Sequence, residues 1–153
     1  MKKLNLNKKG FTLVELLAVI VVLAVIMLLA VNAVIPQMNK ARKNAFVTEA
    51  NAFIDAAGTY YQNAMLTGES GISAAGGCVD VSKLIGEYIE KDGDDYKGHV
   101  NIAIDATTNK ATYTIWLSNK QYQISEKTSA ELDESVVENY STDAAGCPTP
   151  AGS

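Results

Sequence analysis

The stretch Lys8-Lys9-Gly10-Phe11-Thr12-Leu13-Val14-Glu15-Leu16-Leu17-Ala18-Val19-Ile20 decides how this chain is read. Four lysines (Lys2, Lys3, Lys8 and Lys9) and no acid precede Phe11, and 22 of the 25 residues from Phe11 to Ile35 are apolar. As a helix rising 1.5 Å per residue this segment reaches roughly 37 Å, enough to cross a hydrocarbon layer of about 30 Å with some tilt. The basic start predicts that the lysines stay in the cytoplasm while the rest of the chain is translocated. A cleaved secretory signal has an apolar core of only about 7–15 residues, so the run is too long for one. Glu15 is the single charge within it. At the bilayer centre an acid costs about 2.5–3.5 kcal/mol on insertion scales and marks a functional position. The unpaired N–H groups of a helix start lower that cost. Two readings follow: Glu15 rests at the membrane surface, or it awaits a cation supplied by another subunit.

The residues from Lys8 to Ile20 closely resemble the N-terminus of type IV pilins and pseudopilins: a short basic leader ending in glycine, then phenylalanine, then a glutamate alone in a long apolar helix. The resemblance is strong from Lys8 to about Tyr61 and architectural beyond. It implies cleavage between Gly10 and Phe11 by a prepilin peptidase and N-methylation of the new Phe11 amine. It also implies that Glu15 pairs with the Phe11 amine of a neighbouring subunit. By the same resemblance the chain is a structural subunit of a type IV pilus and not an enzyme, first a single-pass membrane protein and then part of an extracellular filament. Adhesion, surface motility or biofilm formation are the roles implied. The partners implied are other copies of the chain, the peptidase, membrane lipid, and an assembly platform driven by cytoplasmic ATPases. A pseudopilin of a type II secretion or competence DNA-uptake machine, and a minor pilin with a binding site at the tip, are the alternatives.

Beyond the apolar run the helical pattern continues, with a kink or a locally melted turn expected between Asn32 and Pro36 because proline removes a hydrogen bond and crowds the preceding turn. Lys40, Arg42 and Lys43 would lie just outside the membrane. Phe46, Ala50, Phe53, Ala57, Tyr60 and Ala64 then recur at steps of four and three, an apolar stripe that must pack on something. The opposite face, with Lys43, Glu49, Asn51, Asp55, Gln62 and Asn63, reads as solvated or as subunit contacts. A continuous helix from Phe11 to about Leu66 is roughly 84 Å long, more than a domain of this size can bury. Its first half needs lipid and then other copies of itself.

The rest reads as a small globular domain. Thr67 to Gly77, with four glycines, is a loop, and Asp80 is placed to cap a short helix over Val81 to Ile89. Three alternating segments follow around Val100 to Asp105, Ala111 to Leu117 and Gln121 to Ser125, the pattern of an antiparallel meander buried on one face. Trp116 falls on the outward face, suited either to packing beneath the C-terminal segment or to a subunit or ligand contact. The fold class expected is α+β: a long N-terminal helix whose second half packs on a small antiparallel sheet. The domain plan is a leader at 1–10, a membrane and filament-core helix at 11–35, its amphipathic continuation at 36–66, and a globular head at 67–153. Cys78 and Cys147, an even pair at no metal-like spacing, are expected to form a disulfide on the extracytoplasmic side.

Composition narrows the remaining chemistry. With 153 residues, 48% apolar and 20% charged, the chain is neither disordered nor a disulfide-dense miniprotein. The net charge of −4 argues against nucleic acid as a primary partner. Losing the leader removes four of the thirteen basic residues against seventeen acidic ones, so the mature chain is more acidic still. His99 is the only histidine and opens a strand, and no phosphate loop or serine-nucleophile motif is present. Asp92-Gly93-Asp94-Asp95 is similar to a calcium loop, which major pseudopilins carry in the globular domain, but it lacks the spacing of an EF-hand and reads as a solvated turn. No cofactor and no metal are expected. Asn139-Tyr140-Ser141 matches a glycosylation acceptor, a pattern common by chance.

Overall fold

The computed structural model describes residues 12–91 and 95–148. Its elements are a 55-residue helix α1 (Leu13–Thr67), strands β1 (Ile72–Ser73) and β2 (Gly76–Asp80), one helical turn α2 (Val81–Leu84), strands β3 (Lys97–Ile104), β4 (Ala111–Ser118) and β5 (Tyr122–Thr128), and a short β6 (Glu138–Asn139). Two single 3-10 turns, Ser129–Glu131 and Glu134–Val136, join β5 to β6. The chain divides into two compact units, one ending at Asn39 and one starting at Lys40.

The first unit is the apolar part of α1. Every described side chain up to Lys40 is exposed, Leu13, Met27 and Leu28 among the most open. The expected melted turn near Pro36 is absent: α1 is helical on both sides of it. A proline costs the helix one N–H donor, opposite the Asn32 carbonyl, and the surrounding hydrogen bonds keep the turn. The Asn32 side chain is turned back to donate to the Leu28 carbonyl at 3.3 Å.

The second unit is built on the amphipathic part of α1. Phe46, Ala50, Phe53 and Ala57 are buried against Val79, Val100, Ile102, Ile115, Leu117 and Ile124 from the inner face of the sheet. Gly58 belongs to the same contact, because an ideal Cβ there would stand 3.1 Å from the Tyr113 hydroxyl. The expected α+β class is therefore found, and the sheet is a fully antiparallel meander in the order β1-β2-β3-β4-β5-β6. Lys43 and Glu49, expected to be solvated or in subunit contacts, make bonds within the head. Lys43 Nζ donates to the Val137 carbonyl at 2.7 Å, and Glu49 receives Lys91 at 2.7 Å and the Tyr96 hydroxyl at 2.8 Å.

Two expectations for the segment after α1 need correction. The glycine-rich stretch is a loop only at Gly68 to Gly71, after which it forms β1 and β2. Glycine is needed in β2 because a Cβ at Gly76, at φ +125, would lie 2.0 Å from the Ile102 carbonyl oxygen. The helix expected over Val81 to Ile89 is a single turn that ends at Leu84. Asp80 makes no capping bond to it, because its carboxylate is used elsewhere. A network fixes this region to α1: the Tyr60 hydroxyl donates to Glu69, and Lys83 Nζ reaches Glu69 at 2.7 Å and the Tyr60 oxygen at 3.1 Å. The Lys83 ammonium and the Tyr60 hydroxyl hold the Glu69 carboxyl below its ordinary range, while the same bonds raise Lys83.

Candidate functional site

Two places in the chain concentrate polar groups that local structure alone does not require. The first is the start of α1. Thr12 precedes the helix and Glu15 lies in its first turn, the spacing of a capping box. The Thr12 backbone N–H donates to Glu15 Oε2 at 2.8 Å and its hydroxyl donates to the same oxygen at 3.0 Å. In return the Glu15 N–H donates to Thr12 Oγ1 at 3.3 Å. Both bonds from Thr12 fall on one carboxylate oxygen. Among the described residues Glu15 Oε1 has no partner, so the carboxylate can cap its own helix and still accept a further donor. The Thr-x-x-Glu spacing is itself a sequence signal for this capping box. Gly10 and Phe11, the expected processing residues, lie outside the described residues.

The second place is the outer face of the sheet, where the segment after β6 crosses as a strap. It meets the strands in turn from one edge toward the other. On β5, Gln123 Oε1 accepts from the Ser141 N–H and hydroxyl, each at 3.0 Å. On β4, Ser118 Oγ accepts from the Ala144 N–H at 2.7 Å. On β3, His99 Nδ1 lies 2.8 Å from the Ala145 carbonyl oxygen, which makes this nitrogen the protonated one. On β2, Asp80 Oδ1 accepts from the Cys147 N–H at 2.7 Å, and Cys78 is joined to Cys147 by a disulfide. Gln123 and Ser118 are the buried polar side chains among the described residues, and both are buried because the strap covers them. Trp116 is half-buried beside the strap, its ring edge to face with that of His99 at 6.0 Å.

The other candidates are not assembled into a site. Asp92 and Asp94 of the acidic run lie outside the described residues, and Asp95 Oδ1 pairs with Lys120 Nζ. Among the described residues no three of His, Cys, Asp and Glu converge to hold a metal. Asn139 lies in β6, exposed.

Helix α1 is exposed along its apolar part and is long and apolar enough to cross a membrane, with a mean hydropathy of 3.2 over its most apolar window and a capping carboxylate at its start. Residues 5–31 match the family pattern described as the prokaryotic N-terminal methylation motif, which is characteristic of type IV pilins and pseudopilins. The motif supports a pilin-like or pseudopilin-like protein. Comparison with curated proteins and with solved structures gives no significant match.

Proposed function

We propose that the chain is a structural subunit of a type IV pilus, cut between Gly10 and Phe11 by a prepilin peptidase, N-methylated at Phe11 and polymerised through α1. The observation that carries this reading is the methylation motif at residues 5–31, which runs into a helix whose apolar side chains from Leu13 to Met38 are all exposed. Such a surface requires one apolar environment before assembly and another after it: lipid, then the α1 helices of other copies. In this reading residues 1–10 are the leader, 11–35 the membrane and filament-core helix, 36–66 its amphipathic continuation and 67–153 the head. The partners are the peptidase, an inner-membrane assembly platform with its ATPases, and further copies of the chain. The filament serves adhesion, motility or biofilm formation, and the chain carries out no catalysis.

Glu15 has a defined task in this scheme. With Oε2 holding the Thr12 N–H and hydroxyl, Oε1 is the acceptor for the Phe11 amine of a neighbour. Each charge then offsets the other's desolvation, whereas removing one partner leaves a buried charge costing several kcal/mol. The test is expression of Glu15→Val beside the wild type, with sheared surface filaments collected and weighed by mass spectrometry. The wild type gives filaments whose subunit begins at methylated Phe11, and the variant gives processed membrane protein without filaments. Normal filaments from Glu15→Val, or a mature N-terminus other than Phe11, would sink the reading.

A further inference from the structure

A cavity of about 330 Å³ opens between the outer sheet face and the strap, beside the disulfide. Trp116, His99 and the exposed residues Asn101 and Glu126 line it, together with Ala145 and Gly146 of the strap. Among the described residues neither the Asn101 side chain nor the Glu126 carboxylate has a hydrogen-bond or ionic partner. His99 Nδ1 faces the Ala145 carbonyl as donor, so that in the neutral imidazole Nε2 is the acceptor.

The backbone beneath Glu126 is what sets this cavity apart from an incidental groove. Pairing between β4 and β5 shifts by one residue between Leu117 opposite Ile124 and Ile115 opposite Lys127, so Ser125 and Glu126 together face Trp116 as a β-bulge. Glu126 takes φ +43, a left-handed conformation that glycine or asparagine adopts at lower cost. A bulge re-aims a side chain, and a strained residue without a structural partner points to a functional use of that side chain. Here the bulge places a carboxylate at the cavity opposite the only tryptophan of the chain.

We propose that this cavity is a saccharide-binding subsite that takes one pyranose ring. A pyranose has an apolar C–H face and a rim of hydroxyls that both donate and accept. The Trp116 ring meets the apolar face, and the Glu126 carboxylate and His99 Nε2 accept from hydroxyls. The Asn101 amide both donates and accepts. The volume stands at the lower end of the range of about 300–1,000 Å³ for small-molecule pockets, which suits a single ring. A quaternary ammonium is the competing ligand. It would use Trp116 and Glu126 but leave the Asn101 amide and His99 Nε2 without a role. The proposal does not depend on polymerisation, because every group named belongs to one chain.

Trp116 supplies its own reporter. The full chain, held in a detergent without sugar headgroups, is titrated with the methyl glycosides of glucose, galactose, mannose and N-acetylglucosamine while tryptophan emission is followed. Tetramethylammonium is titrated in parallel. At least one glycoside is expected to give a saturable change with a dissociation constant of about 1 mM, ordinary for so small a ligand. Glu126→Gln, which keeps the strained backbone, and Asn101→Ala weaken that binding about tenfold at unchanged melting temperature. Glu126→Gly abolishes binding and raises the melting temperature, because glycine relieves the left-handed strain. Saturation by tetramethylammonium alone, no saturable change with any glycoside, or wild-type affinity in Glu126→Gln and Asn101→Ala would overturn the proposal.

Discussion

Gly98 in β3 sits at φ +137, and a Cβ built there would stand 1.9 Å from the Trp116 carbonyl oxygen. Both the conformation and the close approach of β4 require glycine. Gly98→Ala is expected to cost about 2–4 kcal/mol, read as a lower denaturant midpoint of the full chain, while the exposed Gly71→Ala, also at positive φ but with open space around it, costs about 1 kcal/mol. At the helix start, Thr12→Val removes the hydroxyl side of the capping box and should cost about 1 kcal/mol of local stability. Filaments should then form in reduced yield, in contrast to their loss in Glu15→Val, and the yield of sheared filaments measures the difference. Glu15 was conspicuous in the sequence because a lone charge in an apolar run has few explanations. Asp80 was misleading for the opposite reason. An aspartate before Val81 has the form of a helix cap, and the N–H it actually binds belongs to Cys147, which is near only after folding.

Period and residue type account for which elements could be read from sequence. The stripe on α1 and the alternation in β3, β4 and β5 gave these elements nearly in place, since one face of each is buried and the other is not. Strand β2 was hidden because Gly76 and Gly77 have no side chain to alternate and stand where β3 and Ile72 come too close for one. The strap is legible only in part: outward-facing Trp116 and the Cys78–Cys147 pair point to a C-terminal segment over the sheet, whereas Gln123 and Ser118 have the appearance of solvated residues until the chain returns over them. Closing a 69-residue separation, the disulfide contributes about 4 kcal/mol in the chain-entropy model. Cys78→Ser with Cys147→Ser should therefore lower the thermal midpoint and free the end of the strap. Amide exchange at Ala144 and Cys147 then speeds up by more than tenfold, while Val100 and Ile115 at the sheet centre stay protected. Equal loss at all four positions would mean that the strap and sheet unfold as one unit.

At the scale of the whole chain, charge decides how stability varies with acidity. Glu69 is held low by Lys83 and Tyr60, Glu134 by Lys40, Glu131 by Thr128, and Asp133 by Ser135. For each the folded carboxyl titrates below its unfolded counterpart, so its contribution is complete above the unfolded value and is lost as pH falls through the folded one. The melting temperature should be level near neutrality and drop below about pH 4. Glu69→Gln should flatten that acid limb, as circular dichroism melts across pH would show. The strap has one more consequence, for how the surface can diverge. The sheet holds Thr142 and Ala145 through backbone N–H and carbonyl groups, and both residues are exposed. Their side chains are not read by the fold. Among the described residues of the strap, buried Ala144, Gly146, whose Cβ would stand 2.5 Å from Asp80 Oδ1, and disulfide-bonded Cys147 are the constrained positions. The outer face of the head can thus present new side chains from one lineage to the next on an unchanged scaffold.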